Sequence, residues 1–213
     1  MNLTSRSQLF DNWAKNYDNS ILSDQDVFPF AGYDHILDQV VNIAKIRPNM
    51  RVLDIGIGTG NLADRFLDQG CDVWGVDFSV EMLAQTQVKL PQAHLIHADL
   101  LGDWTRQLRP PYERVVSAYV FHEFELETKI KLLQQIFSEC LFESGFIVIA
   151  DIAFPSVELR AAASQYWQLW DEDEFYWAAD EAIVECEQAG IDSEYMQISS
   201  CGGIFTFAKR KAG

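Results

Sequence analysis

The sequence predicts a doubly wound α/β fold, in which helices cover both faces of a mostly parallel β-sheet. Three observations support this fold class. Short apolar runs alternate with amphipathic segments between residues 51 and 151, as strands alternate with helices in such folds. A turn containing three glycines directly follows the first apolar run. The run FIVIAD, at residues 146–151, is almost wholly apolar, as expected of a strand buried on both faces of a parallel sheet.

Two helices are expected before the first strand, because apolar residues recur there at helical spacing. The apolar stripe of the first helix comprises Leu9, Phe10, Trp13, Ala14 and Tyr17. The stripe of the second helix comprises Tyr33, Ile36, Leu37, Val40, Val41 and Ala44. The second helix should end before Pro48, because the residue before a proline is disfavoured in the α conformation.

The alternating region predicts five strands joined mainly by helices. A helix should follow the glycine turn and end at Gly70, and Ser79 should cap the helix after the second strand. A long helix with apolar residues between Leu126 and Leu141 should precede the fifth strand. The five strands are expected at Arg51–Ile55, Cys71–Val76, Ala93–His97, Arg114–Ala118 and Phe146–Asp151.

The pattern changes after Asp151. Residues 152–190 are expected to form a helical, aromatic-rich cap segment. Two short strands follow near Glu194–Ser199 and Ile204–Lys209, and their spacing suits an antiparallel hairpin. The expected sheet therefore has seven strands, of which the last two form the hairpin.

Composition excludes several classes of partner. The 213 residues suit one domain, and we find no linker that would divide residues 1–213. Sixteen basic and thirty-two acidic side chains give a net charge of −16, which repels nucleic acid and anionic membranes. We therefore expect neither nucleic acid nor a membrane as a partner, and no apolar run is long enough to span a bilayer.

The four cysteines never form a C-x-x-C pair, which argues against a zinc site. No metal is expected on this ground. Reduced, mostly buried thiols in a cytoplasmic protein explain the cysteines more simply.

The stretch VLDIGIGTGN, at residues 52–61, predicts a ligand site. Gly56, Gly58 and Gly60 allow positive φ and let a ligand approach the backbone without meeting a Cβ atom. The helix expected after the turn presents unpaired N–H groups to whatever lies there.

Acidic residues lie at or just after the ends of the first three strands, at Asp54, Asp77 and Asp99. In open α/β sheets, ligands bind beyond the carboxyl ends of the strands. Asp77 follows Gly56 by about twenty residues, where dinucleotide folds place the carboxylate that accepts from ribose hydroxyls. A nucleoside therefore fits, with its adenine against Phe78 and its exocyclic amine donating to Asp99.

An NAD-dependent oxidoreductase is the first alternative. The dinucleotide fingerprint has a glycine at its sixth position, whereas this sequence has Asn61 there. Two helices also precede the first strand, whereas NAD folds usually begin with the strand. Both features argue against a dinucleotide.

The motifs together resemble those of the class I S-adenosylmethionine-dependent methyltransferases, which have a Rossmann-like sheet ending in an antiparallel hairpin. VLDIGIGTGN resembles their first motif, GVDFS at residues 75–79 their second, HADL at 97–100 the adenine-edge motif, and VVSAYVFHEF at 115–124 their fourth. The opening FDNWAKNYD, at residues 10–18, is similar to the FDxWAxxYD of small bacterial enzymes in the ubiquinone/menaquinone-methyltransferase-like group. The resemblance covers most of the chain and implies methyl transfer from S-adenosylmethionine, which leaves S-adenosylhomocysteine.

The resemblance also implies contacts along the length of the cofactor. Asp54 and the Gly56–Gly60 backbone would face its methionine portion, with Ser117 and Ala118 beside it. Asp77 would hold the ribose diol. Asp54 also has a purely structural explanation, as the partner of a helix dipole.

The remaining implied contacts concern the adenine and the outer face of the cofactor. Phe78 would pack on the adenine ring, and Asp99 with the Leu100 amide would read its edge. The N-terminal helices, residues 1–47, would close over the cofactor through Trp13 and Tyr17. These two rings could instead be core residues of an amphipathic helix.

Methyl transfer from a sulfonium mainly requires positioning and a dry site. His122 and Glu123, in the loop after the fourth strand, lie where the acceptor should meet the methyl group. Because the pKa of histidine suits proton transfer near neutral pH, His122 is the candidate general base. The alternative is that His122 only forms hydrogen bonds within its loop.

The expected acceptor is a small molecule. SAYVFHEF differs from the NPPY-type motif of enzymes that methylate amino groups of DNA and of protein glutamine. The aromatic rings of the cap segment could line an acceptor pocket or simply pack the cap onto the sheet. The acidic run Asp171–Glu174 is expected to be a solvated turn or helix start, although it could favour a cationic acceptor.

A non-catalytic protein that binds an adenosyl ligand is the second alternative, since binding and catalysis share these motifs. The acceptor atom and the oligomeric state stay open at the level of sequence.

Overall fold

The computed structural model describes residues 27–210 and shows the expected doubly wound α/β fold. The first helix of the sequence analysis, the FDNWAKNYD opening, Trp13 and Tyr17 lie outside the described residues. The strands are β1 Arg51–Ile55, β2 Asp72–Asp77, β3 His94–His97, β4 Tyr112–Ala118, β5 Leu141–Phe154, β6 Trp177–Ala178, β7 Ile191–Gln197 and β8 Gly202–Lys209.

Six α-helices and two short 3-10 turns connect the described strands. The 3-10 turns span Trp104–Gln107 and Phe121–Glu123. The helices are α1 Tyr33–Ala44, α2 Asn61–Asp68, α3 Val80–Lys89, α4 Leu126–Glu139, α5 Val157–Tyr166 and α6 Ala179–Gln188.

The sheet runs in the order β3-β2-β1-β4-β5-β8-β7. Strands β1 to β5 pair in parallel, and β8 pairs antiparallel with both β5 and β7. The chain builds outward from β1 to β3 and then returns to place β4 on the other side of β1. This reversal makes the carboxyl ends of β1 and β4 the switch point, where ligands bind in open α/β sheets.

Alternate residues of the central strands face opposite layers of the core, as the two-residue period of a strand requires. On one face Val52, Val116 and Val148 belong to the same buried cluster as the apolar residues of α1 and α2. On the other face the neighbouring strand residues cluster with apolar residues of α4 and α6. Burial on both faces explains why these strands appear in the sequence as continuous apolar runs.

The cap segment, residues 152–190, is less helical than expected. Its first residues complete β5, and α5 is followed by a loop at residues 167–176, by β6 and by α6. The two-residue β6 pairs with β5 outside the seven-strand order. Aromatic rings of this loop pack against the segment that precedes α1. Phe28 stacks on the rings of Trp167 and Trp170, with centroid distances of 5.6 and 5.9 Å.

All four cysteines are free and buried, as expected: Cys71, Cys140, Cys186 and Cys201. Within residues 27–210, none of the helices has the length and apolar character needed to cross a membrane.

Candidate functional site

The glycine turn links the end of β1 to α2 and is fastened to β2. The N–H groups of Gly56 and Ile57 both donate to the carbonyl oxygen of Val76. Gly56 has a φ of 69°, and a Cβ on it would lie 2.2 Å from Cγ2 of Val120, so only glycine fits there. At Gly58, with a φ of 53°, a Cβ would approach no atom closer than 4.0 Å. The turn therefore leaves open space beside Gly58.

An open cavity of about 890 Å³, counted with the solvent at its mouth, lies beyond the carboxyl ends of four strands. Such a volume suits a nucleoside-sized ligand. The lining includes seven of the residues expected from sequence: Gly56, Gly58, Asp77, Phe78, Asp99, Leu100 and Ala118. Ala118 lines this cavity and also a smaller one against the glycine turn, where Asp54 and Tyr33 lie.

Asp77 joins β2 to the glycine turn and to α3. Its Oδ2 accepts from the Gly58 N–H at 2.9 Å, and its Oδ1 accepts from the Ser79 N–H at 2.8 Å. Burial raises the pKa of Asp77, against the opposing effect of these hydrogen bonds and of His97. Because a carboxylate oxygen accepts more than one hydrogen bond, Asp77 can also accept from a ligand diol in the cavity.

Asp54 is buried without a full set of partners. Among the described residues its Oδ2 has no hydrogen-bond partner, although only 1% of the residue is exposed. Burial, followed by repulsion from Asp77, raises the pKa of Asp54 well above its ordinary value. A buried, unpaired carboxylate is costly, so this position favours a ligand that brings a positive charge or a hydrogen-bond donor.

The far end of the cavity is formed by Phe78, Asp99 and Leu100. Asp99 Oδ1 accepts from the N–H of Leu101 at 3.0 Å, which fixes the turn after β3. The Phe78 carbonyl lies 3.0 Å from Nε2 of His97. This end combines an aromatic face with a carboxylate, the two features that the sequence analysis expected there.

Ser117 and Ala118 differ in their position, although they are neighbours in β4. The hydroxyl of Ser117 is buried in the sheet and donates to the Ile55 carbonyl at 2.7 Å. It lines neither cavity, whereas Ala118 lines both. Ser117 therefore joins β4 to β1, and Ala118 contributes the surface.

Several cavity residues were not singled out from sequence. Tyr119 has a φ of 58°, and its ring stacks on that of Tyr33 at 5.2 Å. Ala98 and Tyr119 directly follow β3 and β4, so position after a strand was the only signal that the sequence carried for them. The lining residues not singled out are Val76, Met82, Ala98, Leu101, Tyr119, Val120 and Phe124, whereas Glu123, which also lines the cavity, was expected beside His122 at the acceptor position.

The ring of His122 is buried against Asp151, another residue that the sequence did not identify as a site residue. The ring Nδ1 lies 2.6 Å from Asp151 Oδ1, and the His122 N–H donates to Oδ2 at 2.8 Å. The Ile152 N–H and the Trp177 Nε1–H donate to the same carboxylate. Asp151 ends the fifth strand expected from sequence, although β5 continues to Phe154, and an acid there repeats the pattern of the first three strands, so the signal was present in the sequence.

Asp151 and His122 shift each other's pKa. Burial raises the pKa of Asp151, but the facing His122 outweighs burial and holds it below the ordinary value. Burial lowers the pKa of His122, but Asp151 outweighs it and raises that pKa. Nearby, burial lowers the pKa of Lys129 to about 7.

Comparison with known proteins decides the family. A family model described as a methyltransferase domain matches residues 52–140, from β1 through α4. An uncharacterised methyltransferase of Geobacillus kaustophilus (strain HTA426) is 32% identical over 201 residues, which cover 89% of this chain and 90% of the relative. The uncharacterised methyltransferase YrrT of Bacillus subtilis (strain 168) is 33% identical over 171 residues, 76% of each chain. The chain belongs to the methyltransferase family.

Solved structures share the fold of this methyltransferase. The complex of DhpI with SAH has a TM-score of 0.73 at 15% identity, with 98% of this chain and 97% of that chain covered. The magnesium protoporphyrin IX methyltransferase ChlM of Synechocystis PCC 6803, with bound SAH, has a TM-score of 0.70 at 16% identity and coverage of 98% and 100%. Family and fold together make this chain a class I, S-adenosylmethionine-dependent methyltransferase. This assignment rejects the alternative of an NAD-dependent oxidoreductase.

Proposed function

We propose that this methyltransferase binds S-adenosylmethionine in the cavity at the ends of β1 to β4 and methylates a small molecule. The observation that carries the proposal is the buried, unpartnered Oδ2 of Asp54 beside the open turn at Gly58. The ammonium group of an aminoacyl ligand would satisfy this oxygen. The glycines would thus let that group come close to the backbone of the turn. The ligand needs no phosphate group to bind there.

The other residues expected from sequence have matching roles in the proposal. Asp77 would accept from the ribose hydroxyls, while keeping its hydrogen bonds to Gly58 and Ser79. Phe78 would pack on the adenine, and Asp99 would accept from its amine. The Leu100 amide would read the adenine edge, and Ala118 would lie beside the methionine portion.

Two further assignments depend on the resemblance alone. Closure over the cofactor by Trp13 and Tyr17 concerns residues outside the described range. Membership of the ubiquinone/menaquinone-methyltransferase-like group is supported only by the FDNWAKNYD opening. Both stay predictions.

When bound, S-adenosylmethionine supplies a methyl group on a sulfonium, which is already activated for displacement. The protein then has to position the acceptor and exclude water. The apolar side chains of Val76, Met82, Val120 and Phe124 give the cavity a mainly apolar lining. His122 lies just past the lining residue Val120, on the acceptor side of the proposed site, and its role as a general base stays a prediction.

A small-molecule acceptor agrees with the charge of the chain. The net charge of −16 opposes nucleic-acid and anionic-membrane partners, and Glu123 adds an acidic side chain to the cavity wall. The four free, buried cysteines suit a reducing compartment, and we propose the cytoplasm.

Replacement of Gly58 tests the proposal. A leucine there would place its side chain in the open space beside the turn, where the cofactor is proposed to lie. We expect Gly58→Leu to abolish binding of S-adenosylhomocysteine in isothermal titration calorimetry. Gly190→Leu is the matched control, because Gly190 has a φ of 76° and also has open space around its Cβ position, but lies at the end of α6.

Both substitutions carry the backbone cost of a left-handed residue, about 1–2 kcal/mol, so their melting temperatures should fall by similar amounts. Only Gly58→Leu should lose the ligand. Retained binding in Gly58→Leu would remove the basis of the proposed site. A screen of acceptors for release of S-adenosylhomocysteine then separates an enzyme from the non-catalytic adenosyl-ligand binder.

A further inference from the structure

Three potential metal ligands converge at the edge of the cofactor cavity. Nε2 of His122 lies 3.7 Å from Oε1 of Glu123 and 3.8 Å from Oε1 of Glu174. One ligand atom from each residue lies within 4.8 Å of the other two. The ligand atoms around a bound transition metal ion lie about 3 Å apart, since each is about 2.1 Å from the ion. A movement of less than about 2 Å would therefore close the set around an ion.

The orientation of His122 favours such a site. Its Nδ1 is engaged by Asp151 at 2.6 Å, and the Asp151 carboxylate cannot donate a proton while ionised. The hydrogen on Nδ1 therefore points to Asp151, and Nε2 faces the two glutamates. Histidines that bind metals almost always donate their other N–H to a carboxylate, a carbonyl or water, which fixes the ring.

Glu174 is brought to this position by its neighbour Phe175. The Phe175 N–H donates to the His122 carbonyl oxygen at 2.7 Å. Nζ of Lys129 donates to the Phe175 carbonyl oxygen and lies 4.1 Å from the centroid of the Trp177 ring. The loop of residues 167–176 is thus fastened to the turn that carries His122 and Glu123, so the three side chains are held together before any ligand arrives.

Charge also favours a cation here. The carboxylates of Asp151, Glu123 and Glu174 surround one imidazole, and their side chains are 0%, 13% and 24% exposed. Buried carboxylates that lie close together are stabilised by added positive charge. A divalent ion between the two glutamates and Nε2 would supply that charge at the point where the three groups meet.

We propose that His122, Glu123 and Glu174 bind a divalent transition metal ion at the acceptor end of the cavity. One imidazole and two carboxylates suit ions such as Mn²⁺ and Zn²⁺. Three protein ligands leave at least one coordination position open, as in catalytic metal sites. Glu123 also lines the cofactor cavity, so the open position lies next to it.

The metal gives the proposed function a substrate class, and this step rests on that function. A hydroxyl group of the acceptor bound at the open position would have a lowered pKa and would release its proton to solvent. The O–C bond forms as the C–S bond of the sulfonium breaks, which yields a methyl ether and S-adenosylhomocysteine. With Nε2 on the metal, His122 would orient the acceptor through the ion, so the metal site replaces the general-base role predicted for His122 from sequence.

This site departs from the absence of metal expected from sequence. That expectation concerned the cysteines, and the proposed ligands include none of them. Glu174 is separated from His122 by 52 positions and belongs to a run that was expected to be a solvated turn. Only the fold brings the ligands together.

Metal titration of the tag-free, chelator-treated full chain tests the proposal. We expect MnCl₂ and ZnCl₂ each to bind at one ion per chain in isothermal titration calorimetry. Glu174→Gln should weaken binding at least about tenfold, since even changes to residues behind the ligands cost about 10- to 100-fold. Glu172→Gln is the matched control, because Glu172 belongs to the same acidic run but is exposed and outside the cluster.

Binding of S-adenosylhomocysteine to the same samples keeps the two proposals separate. If the wild-type chain binds this ligand but neither metal ion, the metal site is overturned and the proposed function stands. Metal binding that Glu174→Gln leaves unchanged places the ion elsewhere on the acidic surface and also overturns the site. Loss in Glu174→Gln together with full binding in Glu172→Gln supports it.

Discussion

Asp54 and Asp77 are two buried carboxylates at the same edge of the sheet, and they differ in their partners. Each oxygen of Asp77 accepts a backbone N–H, whereas Oδ2 of Asp54 has no partner within residues 27–210. The two side chains also repel each other. Asp54 therefore destabilises the ligand-free chain at a position where the proposed cofactor would bring a positive charge.

Replacing Asp54 with asparagine should stabilise the chain in the absence of cofactor. Because the pKa of Asp54 is raised in the folded state, the folded chain holds this proton more tightly than the unfolded chain does. Stability is therefore lost as pH rises above the unfolded pKa of about 3.9, and at pH 7 the loss is complete or still growing. We expect the melting temperature of Asp54→Asn at pH 7 to exceed that of the wild type by a few degrees, since each kcal/mol of added stability raises it by about 2–4 °C.

The same substitution should weaken binding of S-adenosylhomocysteine, measured by calorimetry, because the ammonium group loses its charged partner. Asp68→Asn, at the exposed end of α2, serves as the control for removing one negative charge. The melting advantage of Asp54→Asn should shrink as pH falls toward 4. A lower melting temperature for Asp54→Asn at pH 7 would contradict this account of Asp54.

At the scale of elements, the strands and helices of residues 51–151 were predicted well, because each carries its own local signal. The bounds of β1 agree with the expectation, and Ser79 caps α3 through a hydrogen bond from the Met82 N–H to its hydroxyl at 3.1 Å. Strand β5 begins earlier than expected because Leu141 already pairs with Tyr112. Such pairing depends on a partner strand and has no signal in the local sequence.

The cap of α3 gives a prediction at this scale. Ser79→Ala should lower the free energy of unfolding by about 1 kcal/mol, because the buried Met82 N–H loses its acceptor. Urea unfolding measures the change. Ser156→Ala is the comparison, because Ser156 caps α5 through a longer bond of 3.3 Å at an exposed position. A loss in Ser79→Ala no larger than in Ser156→Ala would show that burial does not strengthen this cap.

In the cap segment, the local sequence pattern predicts more helix than the structure has. Phe28 stacks on Trp167 and Trp170, which follow it by about 140 residues, and these contacts hold residues 167–176 as a loop. Aromatic residues at helical spacing favour a helix in isolation. The contact with Phe28 overrides that preference, and no periodicity in the sequence reveals it.

For the whole molecule, the candidate site was predictable in part for the same reason as the sheet. Parallel strands end at one edge, so Asp54, Asp77 and Asp99 could be assigned to one candidate site from their positions at or just after strand ends. The pairing of His122 with Asp151 and the approach of Glu174 could not be assigned. Both require the side-chain directions and loop path that only packing determines.

The net charge of −16 gives a prediction for the whole chain. Self-repulsion among surface carboxylates opposes the compact state and weakens as salt shortens the Debye length from about 30 Å at 0.01 M to about 8 Å at 0.15 M. We expect the melting temperature at pH 7 to rise by a few degrees (about 1 kcal/mol) between these NaCl concentrations. Differential scanning calorimetry provides the measurement.

The control for this salt effect is the same measurement at a lower pH. Near pH 5, close to the sequence pI of about 4.5, the net charge is small and the rise should largely disappear. An equal rise at both pH values would identify a specific ion effect and contradict the explanation by self-repulsion.

The four buried thiols can be used to follow local unfolding of this protein. Burial raises the pKa of Cys140 to about 12 and that of Cys186 to about 11, so neither the thiolate nor access to reagent is present in the closed chain. Cys71 precedes β2, and Cys201 precedes β8 on the other side of the sheet order. The rate at which each thiol is alkylated therefore reports how often its own part of the fold opens. The four thiols are thus separate probes of local unfolding, and none of them belongs to the proposed cofactor or metal sites.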